Sequence, residues 1–395
     1  MHTSKQPLKN RFGLSEWSGA VGDLGTLLPL AFALCVFNGY PSARIFFLWG
    51  IAYLVTGWYF KVPISIQPLK AMAVIAIAMG FSPELLASTA FFYGIIFLVL
   101  SWSGTLRWLG KWFSPALVSG IQVGIGLILA HKAIELAISQ GLFLGVVNSS
   151  MWLNVLILLS VVLILGYFQF YRKTPIILLL IFGGLAISFM SGFSAGPVAS
   201  GGAAFAFTVP QFSFLLNSLV LLILPQIPLT IGNAVFAASD ACHSFWQDRS
   251  ERVNPSRLGF SISLNNIFIG LLGGFPVCHG AGGIAAHAQF GGKSGGTTMI
   301  MGSILILVAV VSPITGFLFL IPIPILAAML LFDSGRMVAL IQRLNQKIDL
   351  LIAIIVGILS FATKNLLIAV LVGFFIEQLY RLYQKNYARL RQAEE

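Results

Sequence analysis

Lys61-Val-Pro-Ile-Ser-Ile-Gln-Pro-Leu-Lys-Ala-Met72 interrupts a chain that is otherwise apolar for dozens of residues on either side. Two prolines five residues apart prevent an ordinary helix across its first part, so Pro63-Ile-Ser-Ile66 reads as extended backbone. Pro68 suits the first position of a helix, with Gln67 before it as the cap. A helix is therefore expected to begin inside the apolar layer. Its unpaired N–H groups and positive dipole end would face a cavity. Lys70 falls in the first turn. A lysine at membrane depth is costly and points to function. A positive charge at a helix N-terminus is unfavourable unless an anion joins it, so the stretch predicts an anion ligand. The competing reading pairs Lys70 with Asp23 or lets it snorkel to the interface.

A second stretch mirrors the first: Gly273-Gly-Phe-Pro-Val-Cys-His-Gly-Ala-Gly-Gly-Ile284. Extended Pro276-Val-Cys278 leads into a helix start at His279-Gly280. Gly280, Gly282 and Gly283 leave backbone N–H groups open to close approach, as in anion-binding nests. His279 is placed to donate a hydrogen bond to an oxyanion or to accept a proton. The alternative is close helix packing by small residues, with His279 satisfied in the core. A metal at His279, His287 and Cys278 is not expected, because no second ligand has useful spacing.

The surrounding composition sets the medium. Of 395 residues, 58% are hydrophobic and only 9% charged, against about 25% charged in soluble proteins. That excludes a soluble enzyme, a disordered chain and a disulfide scaffold, and implies an all-α polytopic membrane protein. The net charge of +11 fits basic residues flanking spans rather than a nucleic-acid partner, since no basic stripe interleaves with aromatics. Three cysteines without a C-x-x-C support neither disulfide nor zinc. The polar start, residues 1–16, lacks a cleavable signal pattern, so the first apolar stretch reads as a retained span.

Punctuation by charge, Pro, Gly and Asn separates about fourteen spans. Seven lie near 18–37, 42–60, 64–80, 85–104, 114–131, 151–170 and 175–191. Seven more lie near 216–238, 258–274, 276–291, 297–316, 317–333, 348–362 and 364–381. With that count, nineteen of the 23 Lys and Arg residues fall on the side of the N-terminus. Arg44, Lys132 and Lys364 fall opposite, and Lys70 lies within. Both termini are thus expected to be cytoplasmic. Gly22-Asp23 is echoed by Gly232-Asn233, Pro63 by Pro276, and Ser114-Pro-Ala-Leu117 by Ile323-Pro-Ile-Leu326, at offsets of 210, 213 and 209. An odd number of spans per half inverts the second half, which makes a 7+7 inverted repeat with two discontinuous half-helix spans. The repeats are read as 1–200 and 201–395, joined externally by the Gly/Ser/Ala-rich segment 191–207.

Asp23 is a carboxylate in a Gly-rich span, suited to a coupling proton, to balancing Lys70, or to a structural ion pair. Asn233 is its uncharged counterpart. Gln226 and Thr230, on the span of Asn233, are candidates to line the cavity. No Walker loop, G-x-S-x-G or H-E-x-x-H is present, so no enzyme and no cofactor is expected.

Four segments together resemble the molybdate transporter family, a branch related to the sulfate permeases. They are Gly19-Ala-Val-Gly-Asp-Leu-Gly-Thr26, Pro63-Ile-Ser-Ile-Gln-Pro-Leu-Lys-Ala71, Pro225-Gln-Ile-Pro-Leu-Thr-Ile-Gly-Asn233, and Pro276-Val-Cys-His-Gly-Ala-Gly-Gly283 with Phe290-Gly-Gly-Lys-Ser294. The resemblance implies a core domain moving against a gate domain, molybdate as substrate, a homodimer, and an anion site lined by Gln67, Pro68 and Lys70 with Cys278, His279, Gly280, Ala281, Gly282 and Gly283. A short basic tail follows Tyr380, so the regulatory domain usual in sulfate permeases is not expected. The expected function is molybdate import across the cell membrane by alternating access, coupled to a proton, with Gln226 and Asn233 completing the cavity. The rivals are a sulfate or broad oxyanion carrier, a nucleobase permease of the same architecture and an anion channel.

Overall fold

Apolar backbone in a bilayer has no water to bond, so each segment must close its own hydrogen bonds as helix. The computed structural model describes residues 9–145, 150–170, 176–193, 203–311 and 316–394. Fourteen apolar helical segments can be followed in it. The first seven are α1 (Leu14–Asn38), α2 (Ser42–Phe60), α3 (Lys70–Met79), α4 (Pro83–Trp102), α5 (Pro115–Ser139), α6 (Met151–Phe170) and α7 (Ile176–Met190). The second seven are α8 (Phe212–Ser250), α9 (Pro255–Leu271), α10 (Ala281–Gln289), α11 (Gly296–Val310), α12 (Ile323–Arg343), α13 (Lys347–Thr363) and α14 (Leu366–Glu394). Eight of them are long and apolar enough to cross a membrane alone, whereas α3 and α10 are half-length. The connection expected over 191–207, its repeat boundary at 200, and Lys5, Arg172 and Lys173 of the charge asymmetry lie wholly or mainly outside the described residues.

Four spans run well past their expected ends: α5 reaches Ser139 rather than 131, α14 reaches Glu394 rather than 381, and α12 and α8 are the others. α12 runs to Arg343 rather than ending near 333, because Asp333 and Arg336 lie along it without ending it. α8 covers 39 residues rather than 216–238, roughly 58 Å at 1.5 Å per residue against a hydrocarbon core of about 30 Å. Pro225 and Pro228 should break it. Instead, widened π-helical turns at Ser218–Ile223 and Thr230–Phe236 flank the prolines and carry the chain past them.

Helix pairing has the symmetry of an inverted repeat. α2 packs along α11, and α9 packs along α4, which is one pair carried onto the other by a step of seven segments. The close approaches are made by glycines. Gly57 in α2 abuts Gly295 and Thr298 beside α11, and Gly270 in α9 abuts Phe91 and Ala87 of α4. These two glycines are 213 residues apart, the spacing of Pro63 and Pro276. Helices α1–α4 and α8–α11 form the core domain. Helices α5–α7 and α12–α14 form the gate, where α5 packs on α12 and α13, and α12 on α6.

At the centre of the core, the two broken segments cross. Strand β1 (Gln67–Pro68) pairs antiparallel with β2 (Val277–Cys278), Gln67 opposite Cys278 and Pro68 opposite Val277. The Leu69 N–H extends the ladder to the Pro276 carbonyl at 3.0 Å. This ladder corrects the expected helix start. Gln67 and Pro68 stay extended, Leu69 is the cap and α3 begins at Lys70. Similarly, Gly280 caps α10, which begins at Ala281. Other side chains complete the backbone bonding. Asn266 accepts from the Val277 N–H (2.8 Å) and donates to the Val277 carbonyl (2.7 Å). Trp49 donates to the Phe275 carbonyl at 3.2 Å, and Ser65 to the Gly280 carbonyl at 2.8 Å. Asn266 is fully buried. Asn266→Leu should therefore lower stability by about 2–4 kcal/mol through two unpaired backbone groups, read as a drop in the thermal unfolding midpoint in detergent.

Candidate anion site

The N-terminus of α3 is not free, as the sequence suggested. Gln226, buried between the two prolines of α8, accepts through Oε1 from the Ala71 and Met72 N–H groups at 3.0 and 3.3 Å. Its amide donates to the Thr230 hydroxyl (3.0 Å), which also accepts from Tyr93 (2.8 Å). Gln226 is thus a tertiary helix cap and not a cavity residue. Asn233, on the same helix, also stays out of the cavity lining.

His279 is likewise structural here. Its Nδ1 donates to the Ser65 carbonyl at 3.1 Å, its Nε2 accepts from the Ser261 hydroxyl at 2.9 Å, and it is fully buried. With both ring nitrogens engaged, it has no donor left for an anion. Cys278 and Pro68 contribute through the strand ladder, and their side chains do not line the cavity.

The glycines of α10 make room for a buried polar knot. A Cβ on Gly280 would collide with the Gln67 amide. One on Gly283 would meet Asp23 Oδ2 and Ser65 at 2.6 Å and Gln67 Nε2 at 2.7 Å. The Gln67 amide donates to Asp23 Oδ1, and Tyr53 donates to Asp23 Oδ2 at 3.1 Å. Asp23 therefore holds Gln67 in place from inside the core. The Gly283 N–H already bonds the Gly280 carbonyl (3.1 Å), so the open end of α10 is formed by the N–H groups of Ala281 and Gly282. Gly282 has nothing within 4 Å of a built Cβ and lines the cavity.

Lys70 forms an ion pair that the sequence did not disclose. Its Nζ lies 3.1 Å from Asp333 Oδ2, on the gate helix α12, and not on Asp23. Thr26 of α1 donates to the other carboxylate oxygen at 3.4 Å. The pair stays partly accessible, at 21% and 10%. It borders a cavity of about 700 Å³ between core and gate, lined by Asp23, Thr26, Gln67, Lys70, Gly282 and Ala285 from the core and by Met329, Phe332, Asp333, Arg336 and Arg343 from the gate. Phe245 and Ala288 also border a neighbouring pocket that includes Arg11. The cavity therefore opens toward the face that carries the N-terminal segment.

Asp333, Arg336 and Arg343 were missed because nothing in their spacing marks them. Asp333-Ser-Gly-Arg336 resembles the polar end of a span, and its partner is 263 residues away. Glu16 was also passed over. It is buried and accepts from the Lys293 and Ser294 N–H groups (3.1 and 3.2 Å) and from Thr297, which ties α1 to the start of α11. The two glycines of α10 should separate structure from function. Gly283→Ala should destabilise the protein by about 2 kcal/mol or more through overpacking. Gly282→Ala should leave the unfolding midpoint unchanged and reduce anion binding, because its methyl group enters the cavity.

Comparison with known proteins agrees with this architecture. The chain is 26% identical over 428 residues to Molybdate transporter 1 of Arabidopsis thaliana, covering 99% of this chain and 92% of that protein. It is 22% identical to the guanine/hypoxanthine permease GhxP of Escherichia coli O157:H7, over 94% and 89% of the two chains. Among solved structures, the transmembrane domain of the cyanobacterial bicarbonate transporter BicA superposes with a TM-score of 0.66 at 18% identity, over 93% of this chain and 99% of that one. Murine Slc26a9, an anion transporter in the inward-facing state, gives 0.71 at 14% identity, over 95% and 69%. These likenesses establish the fold as that of membrane transporters built from seven-plus-seven inverted repeats. The family model described as "Molybdate transporter of MFS superfamily" matches residues 15–129 and 218–337, one stretch in each half. By that match over more than half its length, the chain belongs to the molybdate transporter family and is a membrane transporter, not an enzyme.

Proposed function

We propose that this transporter imports molybdate by alternating access, with a proton as the coupling ion. One observation carries the reading: Lys70 stands in the first turn of a half-helix, facing a cavity between core and gate that a second half-helix enters with its uncapped N-terminus. A tetrahedral oxyanion there would meet the Lys70 ammonium, the Gln67 amide and the Ala281 and Gly282 N–H groups. Charge-assisted bonds of this kind are about twice as strong as neutral ones. Asp23 orients Gln67, while Gly280 and Gly283 permit the close packing that sets it. Gln226 and His279 act one layer out, by fixing the two helix ends.

A negative-inside potential opposes a dianion by about 2.3 kcal/mol per charge per 100 mV, so uptake needs a coupled cation. The charge asymmetry along the sequence supports a cell-membrane protein with cytoplasmic termini and repeats divided near residue 200. In that orientation the cavity opens inward. A purine is the second reading, favoured by the permease relative and by Asp23 lying against α10, where a ring N–H could be held. Lys70 inside the cavity favours the anion.

Uptake of molybdate into proteoliposomes under an inward proton gradient tests both readings. Tungstate should compete, whereas sulfate and hypoxanthine should compete weakly or not at all. Lys70→Ala should cut uptake by about tenfold or more with an unchanged unfolding midpoint. Normal molybdate affinity in that variant would remove Lys70 from the site. Equal block by sulfate would make the protein a general oxyanion carrier.

A further inference from the structure

We propose that Asp333 carries the coupling proton. It is a tethered anion that holds Lys70 while the site is empty, and it is protonated when the substrate takes its place. The proposal rests on the anion-site reading above.

The geometry supports it in three ways. First, the Asp333 carboxylate occupies the position an oxyanion needs, 3.1 Å from Lys70 Nζ and bordering the cavity. Substrate and Asp333 cannot both take the same ammonium contact without two anions meeting. Second, the ion pair crosses from core to gate, because Lys70 is on α3 and Asp333 on α12. Its partners must change when the two domains move. Asp23 lacks this property, since Gln67, Tyr53 and Gly283 all belong to the core. The hydrogen-bond partners of Asp23 stay together when the domains move, whereas those of Asp333 separate. Third, Thr26 binds only Oδ1. Once Lys70 is withdrawn, Oδ2 is the oxygen left for a proton.

The step balances as an exchange. The Lys70–Asp333 pair separates, the substrate oxyanion pairs with Lys70, and a hydronium ion from solution gives its proton to Asp333 Oδ2, its O–H bond breaking to leave water. No covalent bond other than the Asp333 O–H forms, and nothing is oxidised or reduced. The neutral carboxyl then becomes a donor, able to hydrogen-bond the oxyanion it previously excluded. Proton and anion binding thus favour one another reciprocally.

The charged surroundings of Asp333 are few. α3 presents Lys70 and α1 presents Asp23. α12 itself adds Arg336, and its last turn adds Arg343. On α5 the charged residues His131, Lys132 and Glu135 sit near the C-terminal end, where Lys132 pairs with Glu135. α6 carries Tyr167 as its titratable residue.

The test is calorimetric molybdate binding to the purified full-length protein between about pH 6 and pH 8, where the substrate stays a dianion. Buffers of different ionisation enthalpy count the protons taken up. Wild type should lose up to about tenfold in affinity per pH unit, the limit for one linked proton, and take up close to one proton per anion. Asp333→Asn should bind with little pH dependence and no proton uptake. Asp333→Ala should be equally flat and weaker, because it lacks the donor. A wild type that binds molybdate without proton uptake overturns the proposal and leaves the substrate reading intact. So does an Asp333→Asn variant that keeps the slope. A wild type that binds no molybdate at any pH overturns the substrate reading as well.

Discussion

The structure turns on where backbone polar groups go when two helices stop in the middle of an apolar layer. Each N–H or carbonyl left unpaired there costs several kcal/mol. Helices α3 and α10 expose such groups at the same depth. The crossing of β1 and β2 satisfies some of them. Trp49, Asn266 and Gln226, from three different helices, and His279, just after β2, satisfy most of the rest. This bonding fixes residues 67–70 and 280–283 to one geometry. It also consumes donors, and the few left facing the cavity define what the site can bind.

The fold was legible because its signals are local. Paired prolines and Gly-rich turns act within a turn or two of helix, and apolar run lengths within a single span. Together they located all fourteen segments and the two broken ones. The site was only half legible. Lys70, Gln67 and the α10 glycines announce themselves by standing in the wrong medium or by clustering. Gln226 and His279 were singled out as unusual, and the structure gives both to backbone groups. A buried amide or imidazole can serve a ligand or a backbone, and sequence spacing does not distinguish them. Asp333 shows the opposite failure. At the end of an apolar run it looks like a solvated flank, and only its three-dimensional position against Lys70 makes it exceptional. The start of α3 was misplaced by two residues for a related reason, since Pro68 is a good first helical residue until a partner strand claims it.

The buried and half-buried carboxylates serve different mechanical ends. Glu16 is surrounded by donors from the start of α11 and binds two core elements together. Asp23 is enclosed by core donors. Glu377 accepts from Ser114 at 2.6 Å and pairs with Arg381 within the gate. Asp333 alone among these four joins core to gate. Ion pairs withdrawn from water gain little net stability, because desolvation offsets most of the attraction. A pair of this kind is a poor clamp but a good exchange point, since another anion can replace the carboxylate at small net cost.

The symmetry of the fold contrasts with the asymmetry of its chemistry. Inverted repeats bring two helix N-termini toward one cavity, which alone would suggest two equivalent half-sites. The sequence breaks that equivalence. The first repeat places a lysine in the opening turn of α3 and has that end capped by Gln226. The second leaves α10 with glycine and no side-chain cap. Asp23 meets the centre of the site, while Asn233, its counterpart 210 residues on, stays outside the cavity. Positive charge therefore comes from one half and open N–H groups from the other. Both belong to the core. The gate contributes the carboxylate of Asp333, so the Lys70 ion pair joins the two domains across the cavity.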